Sequence, residues 1–352
     1  MSFTTINKSI SFHNTKLYTG NGGSNSITGV GFQPDFVWSK CRSDSHNHQL
    51  FDAARGVTKR IRSDTSGIET TNSESLKSFD SDGFTMGTQT NVNQNSETYA
   101  TWNWKAGTTG SGTTTGSGTG KSYNYSVNTT SGFSVIKYGG NASSGHTIPH
   151  HLGAAPTAVF IKKLDGADRS WVCHHSSLDG GQVINLDTTD AVNTLTTAFN
   201  STDPSSTVIT LGTSDFVNGN GNTYVAYCFA PKIGFSKFGK FIGNSSLMGS
   251  DIHAPFIYTG FKPTTVIIKG ASQNSRDWYI WNNKNLGYNL DNNELYPSDS
   301  STEGTADKIG LMSNGFNLNS SGSGVNNNGE TYLYWSWGQS IVGSNNIPCT
   351  AR

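Results

Sequence analysis

The sequence predicts an all-β protein built as three antiparallel β-sandwiches in series, with a lectin-like character. Three observations carry this: short aromatic and β-branched runs punctuated by Gly, Asn, Ser and Thr, the lack of any long helical periodicity, and a threefold internal repeat. The 352 residues include 46 Ser, 41 Thr, 35 Asn and 41 Gly, against 33% hydrophobic and 14% charged residues. Aromatics at 11% and a net charge of +0 are not the composition of a disordered chain. The same balance, 24 Lys+Arg against 24 Asp+Glu, argues against nucleic acid and anionic membrane surfaces as partners. No run approaches the roughly 20 apolar residues that span a bilayer. The opening MSFTTINKSISF has no apolar signal region, so cytoplasmic synthesis without membrane insertion is expected.

Residues 1–15 form a polar arm with Ile6, Ser9 and Ile10 in loose alternation, read as a strand that anchors to a partner's sheet edge. Repeat 1 spans 16–107, repeat 2 spans 121–233 and repeat 3 spans 234–338, with a tail at 339–352. Each repeat opens on an aromatic and a Gly-Asn turn, at Tyr18-Thr19-Gly20-Asn21, Tyr138-Gly139-Gly140-Asn141 and Phe241-Ile242-Gly243-Asn244. A Pro-led apolar strand with a basic end follows, GFQPDFVWSK, GAAPTAVFIKK and GFKPTTVIIK. A middle strand adds Phe51, Trp171 and Trp278 to the successive repeats.

Each repeat closes on an aromatic strand, Tyr99–Trp104, Tyr224–Phe229 and Tyr332–Trp337, preceded by VNQNSET, VNGNGNT and VNNNGET. A Gly/Asn run before an alternating strand reads as a hairpin loop accepting positive φ. The period of two assigns Trp38, Trp102, Trp104, Trp335 and Trp337 to the core. Residues 108–120, TTGSGTTTGSGTG, read as a flexible tether that frees repeat 1, whereas repeats 2 and 3 are joined without a polar spacer and are expected to pack together.

The series INKS, NTKLYTGNG, ITGVGFQPDFVW, LFDAARGV, SFDSDGF and VNQNSETYATWNWKAG, followed by GFSVIKY, TYVAYCFA and GFSKFG, resembles an uncharacterised repeated β-domain of marine bacteriophage virion proteins, cyanophages especially. The resemblance covers Ile6 to about Trp337. It implies a place on the virion surface, as a tail-fibre-like or structural protein, rather than a chemistry. Repeat 3 departs most, with the Asn-rich stretch NNKNLGYNLDNNELYP in its middle.

Cys41, Cys173, Cys228 and Cys349 show no CxxC spacing and are read as free thiols. The pairs His46/His48, His150/His151 and His174/His175 have no carboxylate or cysteine at fixed spacing, so no metal or other cofactor is assigned. Asp80-Ser81-Asp82-Gly83 opens like a calcium loop but lacks the later ligands and reads as a turn. Glycan hydrolysis needs two carboxylates about 5–10 Å apart, and Asp52, Glu97, Glu294 and Glu330 stand isolated in sequence.

No catalytic residue is therefore assigned, and a non-enzyme is expected. The runs Trp278–Trp281 and Tyr332–Trp337 also place aromatics on the face opposite the core, so Trp278, Tyr279, Trp281 and Tyr334 are read as surface or ligand contacts, with His46 and His48 beside them. The resulting expectation is a phage structural protein, a tail-fibre or adhesin subunit touching a host glycan or envelope receptor. Other virion proteins are its expected partners, in a homo-oligomer such as a trimer. A capsid decoration or head-fibre protein is the alternative, and a polysaccharide depolymerase the second.

Overall fold

The computed structural model describes residues 4–247, 254–285, 292–322 and 324–343. Among them helix is confined to a 3-10 turn at Ser9–Ser11 and one α turn, α1 (Thr90–Asn93). The rest of the regular structure is antiparallel β, as alternating apolar residues between Gly- and Asn-rich turns require.

The first stretch holds β1 (His13–Thr19), β2 (Asn25–Thr28), β3 (Phe36–Cys41), β4 (Gln49–Asp52), β5 (Lys59–Arg60), β6 (Thr70–Thr71), β7 (Leu76–Asp80), β8 (Gly83–Met86) and β9 (Thr98–Trp104). Next come β10 (Thr108–Thr113), β11 (Thr115–Gly116), β12 (Ser122–Asn128), β13 (Phe133–Gly139), β14 (His146–Pro149), β15 (Ala158–Lys163), β16 (Val172–His175), β17 (Gln182–Val183), β18 (Asn193–Thr194), β19 (Val208–Leu211) and β20 (Thr223–Phe229). The last stretch holds β21 (Ser236–Ile242), β22 (Phe256–Tyr258), β23 (Lys262–Gly270), β24 (Trp278–Asn282), β25 (Ile309–Met312), β26 (Gly315–Leu318) and β27 (Thr331–Gln339).

Sheets β1-β9-β3-β4 and β21-β27-β23-β24 share one strand order with β13-β20-β15-β16, the inner part of the six-stranded sheet β10-β12-β13-β20-β15-β16. Three smaller sheets, β2-β8-β7, β11-β14-β19 and β22-β26-β25, accompany them. The closing strand lies second in each four-strand set, so both of its edges are paired, and apolar clusters cover both of its faces. On one face, separate apolar clusters join each large sheet to its small one, around Val37, Phe51 and Phe84, around Ile136, Ile161 and Ile209, and around Val266, Trp281 and Phe316.

On the other face a single cluster draws on all three stretches, from Ile6 and Trp102 through Phe160 and Tyr227 to Trp278 and Trp335. The last aromatics of the three closing strands meet one another there. Trp104 lies 6.0 Å from Phe229 and 5.4 Å from Trp337, and Phe229 lies 5.2 Å from Trp337, in edge-to-face geometry. The core Trp assignments hold. The expectation of an independently mobile first repeat does not, because its inward rings are buried against the other two.

Two further corrections follow. Residues 108–120 are not a loose tether: β10 pairs with β12 from Thr108↔Val127 to Thr113↔Ser122, and β11 pairs with β14. A Thr/Gly/Ser strand has enough backbone donors and acceptors to extend a sheet without apolar side chains. The described part of the arm is not held out for a partner either. Ile6 sits in the shared core, Ser9 N–H donates to Gln339 Oε1 at 2.6 Å, and β1 already begins at His13.

The repeated Gly-Asn and Val-Asn motifs have one structural cause. The fully buried Asn93, Asn218 and Asn326 each accept the backbone N–H of the turn Asn, from Asn21 at 2.9 Å, Asn141 at 2.9 Å and Asn244 at 3.0 Å. Their amides donate to carbonyls nearby, including Gly87, Gly212 and Ser246. The turn glycine must lack a side chain, since a Cβ on Gly20, Gly140 or Gly243 falls 2.0–2.4 Å from a carbonyl oxygen of the facing loop.

Candidate functional site

The open groove that combines aromatic rings with acidic and hydroxyl groups lies beside β24. It is lined by Asp277, Tyr279, Tyr296, Asp299, Ser301, Thr302, Glu303 and Gly304, with a volume of about 410 Å³. β24 places Tyr279 opposite Ile268 of β23. The chain then returns along β24, where Ile280 and Leu295 exchange backbone bonds of 2.8 and 3.0 Å, and doubles back through the bridge Glu294↔Gly304. That return brings Tyr296 to 5.5 Å from Tyr279, tilted by 59°. Gly304 is needed for the approach, since a Cβ there falls 2.4 Å from the Tyr296 hydroxyl.

The loop that carries Asp299, Ser301 and Thr302 is clamped from repeat 1. His48 Nε2 donates to the Tyr296 carbonyl at 2.9 Å, and Lys40 Nζ donates to the Ser300 carbonyl at 3.1 Å. Arg42 forms a two-pronged pair with Glu303 at 2.9 Å on each oxygen. Tyr296 OH donates to Glu294 Oε1 at 3.0 Å, and the Lys308 ammonium pairs with that carboxylate while lying 5.1 Å from the Tyr279 ring. Burial, reinforced by Asp299, raises the Asp277 carboxyl above its ordinary range, with Lys269 and Lys308 opposing. Burial also raises the phenols of Tyr279 and Tyr296, which stay neutral donors.

Of the six residues expected at the surface, the groove uses two, Tyr279 in its wall and His48 behind it. Trp278, Trp281 and His48 are fully buried, and Tyr279 and Tyr334 are 7% and 3% exposed. Trp278 packs on Trp335 at 5.0 Å in the shared core, while Trp281 stacks on Tyr279 at 5.5 Å. Tyr334 packs on Phe316, and Gly239 lies against its ring. The reading of these rings as an open platform is corrected: both faces of β24 and β27 are covered except at the rim of Tyr279, so alternation marks two cores instead of a core and a surface. His46 is half-buried, bonded to Gln94 Oε1 at 3.1 Å, well apart from His48's role.

The histidines of the other two pairs are engaged in packing and hydrogen bonds. His150 bonds the Ser205 carbonyl, His151 stacks on Tyr125 at 3.8 Å, His174 packs near Phe199, and His175 Nδ1 accepts from Ser177 N–H. The isolated carboxylates are likewise structural. Asp52 holds Arg55 at 2.5 Å and Tyr227 OH at 2.7 Å, Glu97 accepts from Ser43, and Glu330 holds Arg276 at 2.8 Å. Cys41, Cys173 and Cys228 are free and buried, and Cys349 lies outside the described residues.

The basic end of each Pro-led strand was legible in sequence, but its burial was not. Lys40, Lys162 and Lys269 end the Pro-led strands, are fully buried, and point at carbonyls, including Ser300 for Lys40 and Ser66 for Lys162. Burial pulls each ammonium down to about 8. Their recurrence at one repeat position was the available signal. Asp277 and Asp299 carried no sequence signal, since only the return of the chain along β24 brings them together.

Residues 8–340 match a family described as a domain of unknown function, DUF7483. No curated protein and no solved structure matches the chain.

Proposed function

The chain belongs to the DUF7483 family; we propose that it is a non-enzymatic structural protein of a phage particle. In this reading it is displayed outward as a tail-fibre or adhesin subunit, within a homo-oligomer, and the groove between Tyr279 and Tyr296 takes a host-surface glycan. The groove is the observation that carries the reading. Two neutral phenols, the Asp277 and Asp299 carboxylates and the Ser301 and Thr302 hydroxyls surround a space of about 410 Å³, within the range of small-ligand sites. Hydroxyl-rich ligands call for rings to lie against and neutral or anionic acceptors at the rim. The virion address rests on the resemblance of the repeat motifs between Ile6 and Trp337. The finer architecture in this reading is three sandwiches of one family, fused through the Trp104, Phe229 and Trp337 contact.

The test is retention of the purified chain on immobilised envelope polysaccharide from the phage's host. Saturable retention that Tyr296→Ala lowers at least about tenfold supports the reading, that being about 1.4 kcal/mol. Equal retention of both proteins, or none, overturns the groove. A second reading is favoured by one observation: Asp277, raised by burial and by Asp299, has the character of a general acid. Shortening of the polysaccharide on prolonged incubation, abolished by Asp277→Asn, would make the protein a depolymerase.

A further inference from the structure

Each shared four-strand set begins with an equivalent strand, β1, β13 or β21, and the molecule treats the outer edge of that strand differently in the middle and last stretches. In the middle, β13 is covered by β12, and β14 of the small sheet is covered by β11, so the segment Thr115–Asn128 lies along both edges at once. In the last stretch the equivalents, β21 and β22, are both edge strands among the described residues. The Gly-Asn turns fix the correspondence, aligning Lys240 with Lys137, whose cross-strand partner is Asn124.

The uncovered edges are also where apolar side chains are left in water. Ile242 is 65% exposed on β21, and Phe256 and Tyr258 are 47% and 60% exposed on β22. Ile233 and Ile341, also exposed, line with Tyr258 and Lys237 a groove of about 640 Å³ at the start of this edge. No large apolar side chain is exposed on β1 or β2, the corresponding strands of the first stretch. Backbone geometry agrees. Gly243 N–H bonds the Glu330 carbonyl and Gly338 N–H bonds the Phe235 carbonyl at either end of β21. Odd-numbered residues therefore exchange bonds with β27, and the amides and carbonyls of Phe238, Lys240 and Ile242 point outward. Lys237 ties the two edges together by donating to the Tyr258 carbonyl at 2.6 Å.

We propose that the β21/β22 double edge is a docking site for an extended strand of a partner protein, of the kind the chain lays on its own β13 and β14. The occupant adds antiparallel to β21, places a neutral or acidic residue opposite Lys240 as Asn124 stands opposite Lys137, and lies across Ile242, Phe256 and Tyr258 as β12 and β11 lie along β13 and β14. A second copy pairing edge to edge is disfavoured. Two-fold pairing of β21 with itself, centred on Lys240 or on either neighbour, sets Lys240 opposite or diagonal to its own copy, and like charges across a ladder repel. The inference does not depend on the groove at Tyr279.

The test uses the full chain and a fluorescein-labelled peptide copying Thr115–Asn128, read by fluorescence anisotropy and by amide hydrogen exchange. The expected result is saturable one-to-one binding with slowed exchange at Phe238, Lys240 and Ile242. Lys240→Pro removes an outward amide without removing a bond to β27, and should weaken binding at least about tenfold. Ile242→Lys, at an exposed position, is the second variant and should weaken it as well. Absence of saturable binding up to about 1 mM, a range corresponding to only about 4 kcal/mol of affinity, overturns the proposal. So does protection confined to other strands, or binding that both folded variants leave unchanged.

Discussion

Replacing Asp52 by Ala tests whether the three sheet pairs unfold as one body. The Asp52 and Arg55 side chains are wholly inaccessible to solvent and 2.5 Å apart, and Tyr227 OH reaches Asp52 at 2.7 Å from the middle stretch. Burial alone would lower the Arg55 guanidinium; Asp52, then Tyr227 and Glu69, reverse that and raise it. Asp52→Ala leaves a buried cation whose remaining carboxylate, Glu69, is 3.3 Å away. Breaking a buried pair costs roughly 3–5 kcal/mol, and the Glu69 contact sets the expectation at about 3.

The temperature shift then reports the size of the cooperative unit. At about 2.1 cal/mol/K per residue, a unit of all 352 residues has an unfolding entropy of about 0.7 kcal/mol/K, so Tm falls by about 4 °C. Were residues 16–107 to unfold alone, the same loss would lower Tm by about 16 °C. Differential scanning calorimetry should show one transition displaced by the smaller amount. Several transitions, with only the first displaced and by the larger amount, would refute the shared-core argument.

Acid should destabilise the fold through its buried imidazoles. Burial lowers His13 from 6.5 to about 3 and both His174 and His175 to about 4, so their contribution is full above 6.5 and is lost as pH falls toward those values. The urea midpoint should drop between pH 6.5 and 4, and His174→Leu should flatten the slope; an unchanged slope contradicts the assignment. Asn218→Ala should cost about 1–3 kcal/mol in urea unfolding, because the Asn141 N–H and two carbonyls lose their partner. Lys240→Pro should change the urea midpoint little, within about 0.5 kcal/mol, as befits an outward edge position; a loss of several kcal/mol would mean that its amide bonds within the fold.

The sequence made the strands legible because Pro-led runs and closing aromatics recur in order, and alternation fixed which residues share a face. It could not say that the second face of Tyr99–Trp104, Tyr224–Phe229 and Tyr332–Trp337 is buried too. Tyr, Thr and Asn on that face look solvated until Tyr99 OH is seen donating to the Thr90 carbonyl and Asn103 Nδ2 to the Asn14 carbonyl. Residues 108–120 misled for a related reason: Gly and Thr at alternate positions suit a tether and a backbone-paired edge strand equally well, and only the partner strand at Ser122–Asn128 decides. Tyr279 was legible as a candidate ligand contact. Its companions Tyr296, Asp277 and Asp299 were not, since they converge through a chain reversal clamped by His48, Lys40 and Arg42 from more than two hundred residues away.

Electron cryo-microscopy of the intact particle, with this chain located in the map, tests the central claim most directly. The account predicts density at the tail apparatus, reaching outward with the Tyr279 groove open to solvent. Density confined to the capsid lattice or a capsid vertex, or no copy of the chain in the particle, would contradict it.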